Sequence, residues 1–353
     1  MALARALALL AAVLLSAASA GESFDWHLPP GFPAPRVPRS NAMSYAKVTL
    51  GALLFRDKRL SQDGTLACAS CHRQELAYTD GRARALGAHG VALRRSAMSL
   101  GNVAYNLAYS WADPNVRTLE AQMRTPLTNP KEMGLSARGA PALRRLGADA
   151  AILARFEEAF PGTGRALSFK HLIEAIACYE RTLISGRSAF DRYVFDDDRT
   201  ALSPAAKRGL DLFYSARAGC AACHAGINFS GAVASVGARS GAALFANTGL
   251  YNLPGGRYPK DDRGLIEITH RARDEGKFRV PTLRNIALTA PYMHDGSLPT
   301  LAAVLDHYSE GTHRSAFRDP KVHALHLTKY EKEDLLAFLE SLTDREFVSK
   351  SAN

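Results

Sequence analysis

Four of the chain's five cysteines fall in two C-x-x-C-H motifs, Cys68, Cys71 and His72, then Cys220, Cys223 and His224. Thiols at this spacing can add across the vinyl groups of a porphyrin, and the adjoining histidine brings an imidazole to its iron. The pair therefore reads as two covalently bound haem c groups. A disulfide, a dithiol redox centre and half of a zinc site are the competing uses of the spacing. A dithiol needs no following histidine, and zinc needs its ligand pairs closer together than these two motifs stand. The fifth cysteine, Cys178, lies in the apolar stretch Leu172 to Leu183 and reads as a buried, unreactive thiol.

The elements that must carry these motifs read as helical. Gly51-x-x-Leu54-Phe55 precedes the first motif and Gly209-x-x-Leu212-Phe213 the second, so each haem loop is fed by a similar helix, as a duplication would leave it. Ser203-Pro204 is a helix start, and Thr328-x-x-Glu331 is a capping box before Leu335, Leu336, Leu339 and Leu342. Sustained alternation of a strand kind is missing, which predicts a mainly α fold. Gly226 to Gly241 and Leu253 to Gly264 read as long loops of the sort that wrap a cofactor. The polar segment Arg187 to Ser203, with Asp196, Asp197 and Asp198 in a row, places a domain boundary at residue 195. The expected division is 21–195 and 196–353.

Residues 1–20 have the form of a Sec-type leader: Arg5, an apolar run through Leu15, and the small-residue ending Ala18-Ser19-Ala20. The run is too short for a membrane span, and no later segment is as apolar. Cleavage after Ala20 would deliver the chain to the periplasm, where haem c is attached. The formal net charge is +10, from 44 Lys and Arg against 34 Asp and Glu. No run of basic residues with interleaved aromatics is present, which argues against nucleic acid. A basic face for docking an acidic protein is the better use of the charge.

What a haem does depends on its second axial position: an open iron takes peroxide, and a closed one passes electrons. The informative stretch runs from Val280-Pro281-Thr282-Leu283-Arg284-Asn285 to Pro291-Tyr292-Met293-His294-Asp295-Gly296. It resembles the bacterial dihaem cytochrome c peroxidases and their MauG relatives. The likeness extends to Leu54-Phe55 through Arg59-Leu60-Ser61, Thr79-Asp80-Gly81, Leu119-Glu120-x-Gln122 and Glu132-Met133-Gly134. The resemblance implies two cytochrome c-like haem domains in the dihaem cytochrome c peroxidase architecture.

It also implies roles. The N-terminal haem, held by Cys68, Cys71 and His72, would meet hydrogen peroxide, with Glu132 as the distal acid-base group, Gln122 beside it and Pro126 in the same pocket. The C-terminal haem would take Tyr308 as its distal ligand, where the peroxidases have methionine and MauG has a tyrosinate; Met293 is the rival ligand. An anionic oxygen favours oxidised iron and so points to stored oxidising equivalents. Trp111 matches the tryptophan that lies between the haems. His89 lies in a loop like that of the peroxidases' resting distal histidine, with its spacing off by one residue on each side. Ala218 stands where MauG carries a surface tryptophan. A calcium ion between the haems would correspond to carbonyls of Thr289 and Pro291, with Ser96 where asparagine is usual.

Further stretches, Gly31 to Pro38, Asn41 to Val48, Asn247 to Asn252 and Leu305 to Tyr308, are most similar to the MbnH group of MauG-like enzymes. In that group, peroxide oxidises a tryptophan of a small copper-binding periplasmic partner, MbnP, through a high-valent dihaem state. The implied function is of that kind. The alternatives are a cytochrome c peroxidase fed by a small electron-donor protein, and a non-enzymatic dihaem electron carrier.

Overall fold

Most of the longer helices in this chain begin where a short polar side chain caps them, and the two that feed the haem motifs cross a partner helix at a glycine. The computed structural model describes residues 24–231, 233–237 and 241–349; the leader read at 1–20 lies outside them. The first half holds α1 (Tyr45–Phe55), α2 (Cys68–Cys71), α3 (Leu119–Thr128), α4 (Ala140–Gly147), α5 (Ala150–Ala159) and α6 (Phe169–Arg181). After α7 (Ala189–Phe195), the second holds α8 (Pro204–Tyr214), α9 (Ile266–Thr269), α10 (Leu301–Asp306), α11 (Lys329–Ser341) and α12 (Arg345–Ser349). Two short antiparallel strands, β1 (Phe245–Ala246) and β2 (Phe278–Arg279), pair with Phe245 opposite Arg279. The fold is mainly α, and among the described residues no helix is long and apolar enough to cross a membrane.

Both helix starts read in the sequence form as read. Ser203 Oγ accepts from Ala206 N ahead of Pro204, and Thr328 and Glu331 make the reciprocal capping box that starts α11. Ser44 caps α1 and Ser168 caps α6 in the same way.

The two halves repeat one packing device. In α1, a Cβ placed on Gly51 would lie 2.0 Å from the carbonyl oxygen of Ala175 and 2.9 Å from Tyr179 Cβ in α6. In α8, a Cβ on Gly209 would lie 2.0 Å from the carbonyl oxygen of Asp334 and 2.9 Å from Phe338 Cβ in α11. Helices can approach this closely only where one lacks a side chain. The matching distances support the repeat read from the sequence.

Around each crossing lies an apolar core. The first contains Leu50, Leu54, Phe55, Leu172 and Ile176; the second contains Phe213, Phe229, Leu335, Phe338 and Leu342. Phe190 of α7 packs in the second core, 5.1 Å from Phe229 and 6.0 Å from Phe338. The seam is polar: Asn102 exchanges two hydrogen bonds of 2.8 Å with the backbone of Ser185, Ser185 Oγ accepts from Asn285 Nδ2 at 2.9 Å, and Asn285 Oδ1 accepts from Asp344 N at 2.8 Å. All four residues are buried, so the network fixes how the halves meet.

Replacing Gly51 or Gly209 by alanine should lower stability by about 1–3 kcal/mol through overpacking. Gly147→Ala, whose Cβ would meet only Leu167 Cδ2 at 3.4 Å, should be tolerated. Thermal unfolding of the three variants compares them directly; equal melting temperatures would show that the crossings yield.

Candidate haem sites

Each C-x-x-C-H motif sits on a tight helical turn that delivers its histidine to a cavity. His72 follows α2, with its N–H donating to Cys68 O at 3.0 Å; His224 follows the turn at Cys220–Ala222, with its N–H donating to Cys220 O at 2.9 Å. The ring of His72 bonds through Nδ1 to the carbonyl of Tyr78 at 2.9 Å, and that of His224 bonds through Nδ1 to the carbonyl of Phe229 at 2.8 Å. Both carbonyls come from residues in the left-handed region, Tyr78 at φ 62 and Phe229 at φ 46. A donor commitment at Nδ1 fixes the tautomer and leaves Nε2 as the ligating atom. Burial lowers the pKa of both rings, which favours the neutral imidazole that ligation needs.

The first cavity, with about 1860 Å³ of free space, is lined by Cys68, Cys71, His72, Gln122, Pro126 and Glu132. Residues brought together only by resemblance in the sequence thus share one pocket. Gln122 and Pro126 project from α3, which Thr118 caps, and Glu132 follows on the turn where Asn129 Nδ2 donates to its Oε2 at 3.4 Å. Burial raises the pKa of Glu132, and the Asn129 contact opposes it. His89 is elsewhere: its side chain is 66% exposed, and its Nδ1 lies 3.7 Å from Asp63 Oδ2.

The second cavity, with about 1510 Å³ of free space, is lined by Cys220, Cys223, His224, Met293 and Tyr308. Thr300 caps α10, Leu301 and Leu305 are buried on it, and Tyr308 follows in a π-helical turn at His307–Gly311. Such single turns are frequent at functional sites. Burial pushes the Tyr308 phenol far up, and the neighbouring thiols of Cys220 and Cys223 push the same way. Both candidate ligands, Tyr308 and Met293, therefore face the same space.

Trp111 lines both cavities. Its Nε1–H donates to the carbonyl of Ser96 at 3.1 Å, and its own carbonyl accepts from Arg279 N at 2.8 Å, so ring and backbone are both fixed. Ser96, Thr289 and Pro291 line a smaller third cavity beside it. Its lining offers hydroxyl and carbonyl oxygens, which suit calcium, and no carboxylate, while Arg279 and Arg284 face the same space and oppose a dication.

The chain fits a porphyrin at both motifs. Each cavity is mostly apolar and presents two thiols and one oriented imidazole from the same side. Burial pushes the Cys71 and Cys220 thiols up to about 11, and among the described residues no group of three or more His, Cys, Asp or Glu side chains is placed to hold a metal ion. Sequence reasoning missed two lining residues. Glu180 faces the first cavity with its carboxyl pushed up by burial to about 8. Arg279 faces both cavities. Each was in view, one beside Arg181 and the other two residues before Pro281, but neither has a spacing that announces a ligand.

Comparison with known proteins agrees with this geometry. A family model described as di-haem cytochrome c peroxidase matches residues 45–199, and one described as RoxA-like, cytochrome c-like matches residues 278–314. The methylamine utilization protein MauG of Methylorubrum extorquens is 35% identical over 306 residues, covering 86% of this chain and 80% of its own. The cytochrome c551 peroxidase of Pseudomonas aeruginosa is 31% identical over 314 residues, covering 87% of this chain and 82% of its own. A solved structure of a MauG-like protein associated with microbial copper homeostasis is 42% identical, with a TM-score of 0.89 over 93% of this chain and 97% of that one. The diheme peroxidase BthA of Burkholderia thailandensis shares the fold at a TM-score of 0.69 and 22% identity, covering 92% of this chain and 95% of its own. The chain therefore belongs to the dihaem cytochrome c peroxidase and MauG family, whose members are peroxide-using oxidoreductases.

Proposed function

We propose that the chain is a periplasmic dihaem oxidase that uses hydrogen peroxide to oxidise a tryptophan of a small copper-binding partner of the MbnP type. The observation that carries this reading is Tyr308, a tyrosine lining the cavity of the second motif where an electron-entry haem would use methionine. The likeness to a MauG-like protein associated with microbial copper homeostasis supports the copper context. In this reading the leader at 1–20 is cleaved, residues 21–195 carry the peroxide-reactive site and residues 196–353 the electron-transfer site, with α7 reaching across to pack on the second core. A calcium ion at Ser96, Thr289 and Pro291 would have only neutral oxygens to set against the arginines that line the same cavity, and metal analysis of the purified protein would test whether one binds.

When bound, the two haems supply iron that cleaves the O–O bond and holds oxidising equivalents. His72 and His224 present Nε2 to the cavities because Nδ1 is held by a backbone carbonyl. Glu132 moves a proton from the inner to the outer peroxide oxygen, and its raised pKa brings it nearer to the working pH of such a group. Gln122 orients peroxide with its amide, while Leu119, Met123 and Leu127 close the pocket against water. Tyr308 loses its proton only where a cation takes the oxygen, since burial alone disfavours the phenolate. Trp111, fixed by Ser96 and Arg279, lies where it shortens electron transfer between the two sites. Two electrons and two protons then convert each peroxide to two waters, and the electrons come from the partner's side chain.

Glu132→Gln should slow the reaction with peroxide by about 10²-fold or more, with two haems retained, in stopped-flow measurements. The base form of Glu132 is lost as pH falls through its raised pKa, so the wild-type rate should decline at a pH above the ordinary glutamate value of about 4.3, and the Gln variant should lack that step. Tyr308→Phe should change the optical spectrum of the second haem alone and abolish partner oxidation; an unchanged spectrum removes Tyr308 as a ligand. Mass spectrometry of the partner after peroxide treatment tests the substrate. An unmodified partner together with rapid oxidation of reduced cytochrome c would make the chain a cytochrome c peroxidase. An electron carrier would show two closed irons and no reaction with peroxide.

A further inference from the structure

One cation between the cavities has no counter-ion among the described residues. Arg279, at the end of β2, is 7% exposed and lines the first cavity, the second, and the small one beside them. Among the described residues its guanidinium makes a single hydrogen bond, from Nη2 to the thioether of Met98 at 3.0 Å, and its Nε has no partner. Its backbone is fixed by the N–H bond to Trp111 O and by strand pairing with Phe245, so the side chain starts from a set position between the cavities. The chain's other buried arginines are placed differently. Arg284 clasps Asp191 through two nitrogens at 2.8 and 2.9 Å, and Arg181 meets Glu120 at 2.6 Å. Arg279 forms no ion pair among the described residues.

A buried guanidinium without an acid is strongly unfavourable, and proteins keep one where an anion arrives with a ligand. Burial lowers its pKa only to about 10, so the group is still charged at neutral pH. The missing anion must be reachable from both cavities. The porphyrin fitted to each carries carboxylates on short flexible arms, and guanidinium binds carboxylate with paired hydrogen bonds. We infer that Arg279 is the anion site for haem propionates and is shared by both haems, taking one propionate from each. This rests on the two-haem reading above. Arg279 acts as a positioning residue and as a single positive charge held between the two centres, which favours the reduced state of each.

Potentiometric titration followed by visible spectra tests this on wild type, Arg279→Gln and Arg279→Lys, each checked for two haems per chain. Loss of the charge should lower the midpoint potentials of both haems, and the lysine variant should restore most of the shift in each. Unchanged potentials in a fully loaded Gln variant, or a shift confined to one haem, would overturn the shared site. A crystal structure of the wild-type holoprotein tests the same point without a variant. Guanidinium nitrogens within hydrogen-bond distance of a propionate from each haem are expected, and Arg279 paired with a protein carboxylate would contradict the inference. Fewer than two haems in the wild type would instead count against the two-haem reading itself.

Discussion

The contact on which the rest of the structure depends is a helix crossing with no side chain between the backbones. At Gly51 and again at Gly209, a missing Cβ lets a helix rest on the carbonyl of its partner. Beside each crossing sits the C-x-x-C-H turn: Phe55 lies 6.5 Å from the ring of His72 in one half, and Phe213 lines the cavity with Cys220, Cys223 and His224 in the other. Aromatic contacts carry the position onward: Phe55 lies 6.2 Å from Tyr78, whose carbonyl orients His72, and Phe213 lies 6.0 Å from Phe229, whose carbonyl orients His224. Packing thus decides the tautomer of the two imidazoles.

Symmetry stops at the distal sides. The first cavity is faced by the carboxyls of Glu132 and Glu180, which can exchange protons, and by the amide of Gln122; the second is faced by Tyr308 and Met293, groups suited to closing an axial position. One architecture, used twice, therefore supplies unequal chemistry. The seam between the halves makes the inequality useful. Ser96 N donates to the carbonyl of His294 at 2.9 Å, the Ser96 carbonyl accepts from Trp111, and Trp111 is tied to Arg279. His294, Ser96 and Arg279 are thereby linked through the indole and the backbone of Trp111.

Much of this was legible because the signals were local. The motifs, the caps at Ser203 and Thr328 and the paired glycines each occupy a few consecutive residues, and helix starts depend on little else. The place of Gln122 and Glu132 in the first cavity was legible only through resemblance, since nothing in either residue's sequence neighbourhood distinguishes it from a surface polar group. What escaped was set by long-range contacts. Arg279 looks like any strand-end arginine until the fold encloses it between two cavities. The chemistry of Glu180 depends on burial that only the packing of α6 creates. Helix α7 sits in the polar stretch before the expected boundary, yet Phe190 and the Asp191–Arg284 pair commit it to the second core. His89 occupies a suggestive loop, but its ring is mostly in solvent beside Asp63.

The central claim is that the two unequal sites act as one oxidant through Trp111. Low-temperature EPR of the ferric holoprotein after one equivalent of hydrogen peroxide tests it most directly, with wild type compared with Trp111→Phe carrying two haems. The account predicts that the ferric signals of both haems fall together in the wild type, and that in the variant only the signal of the His72 haem falls. Equal loss of both signals in the variant would contradict it.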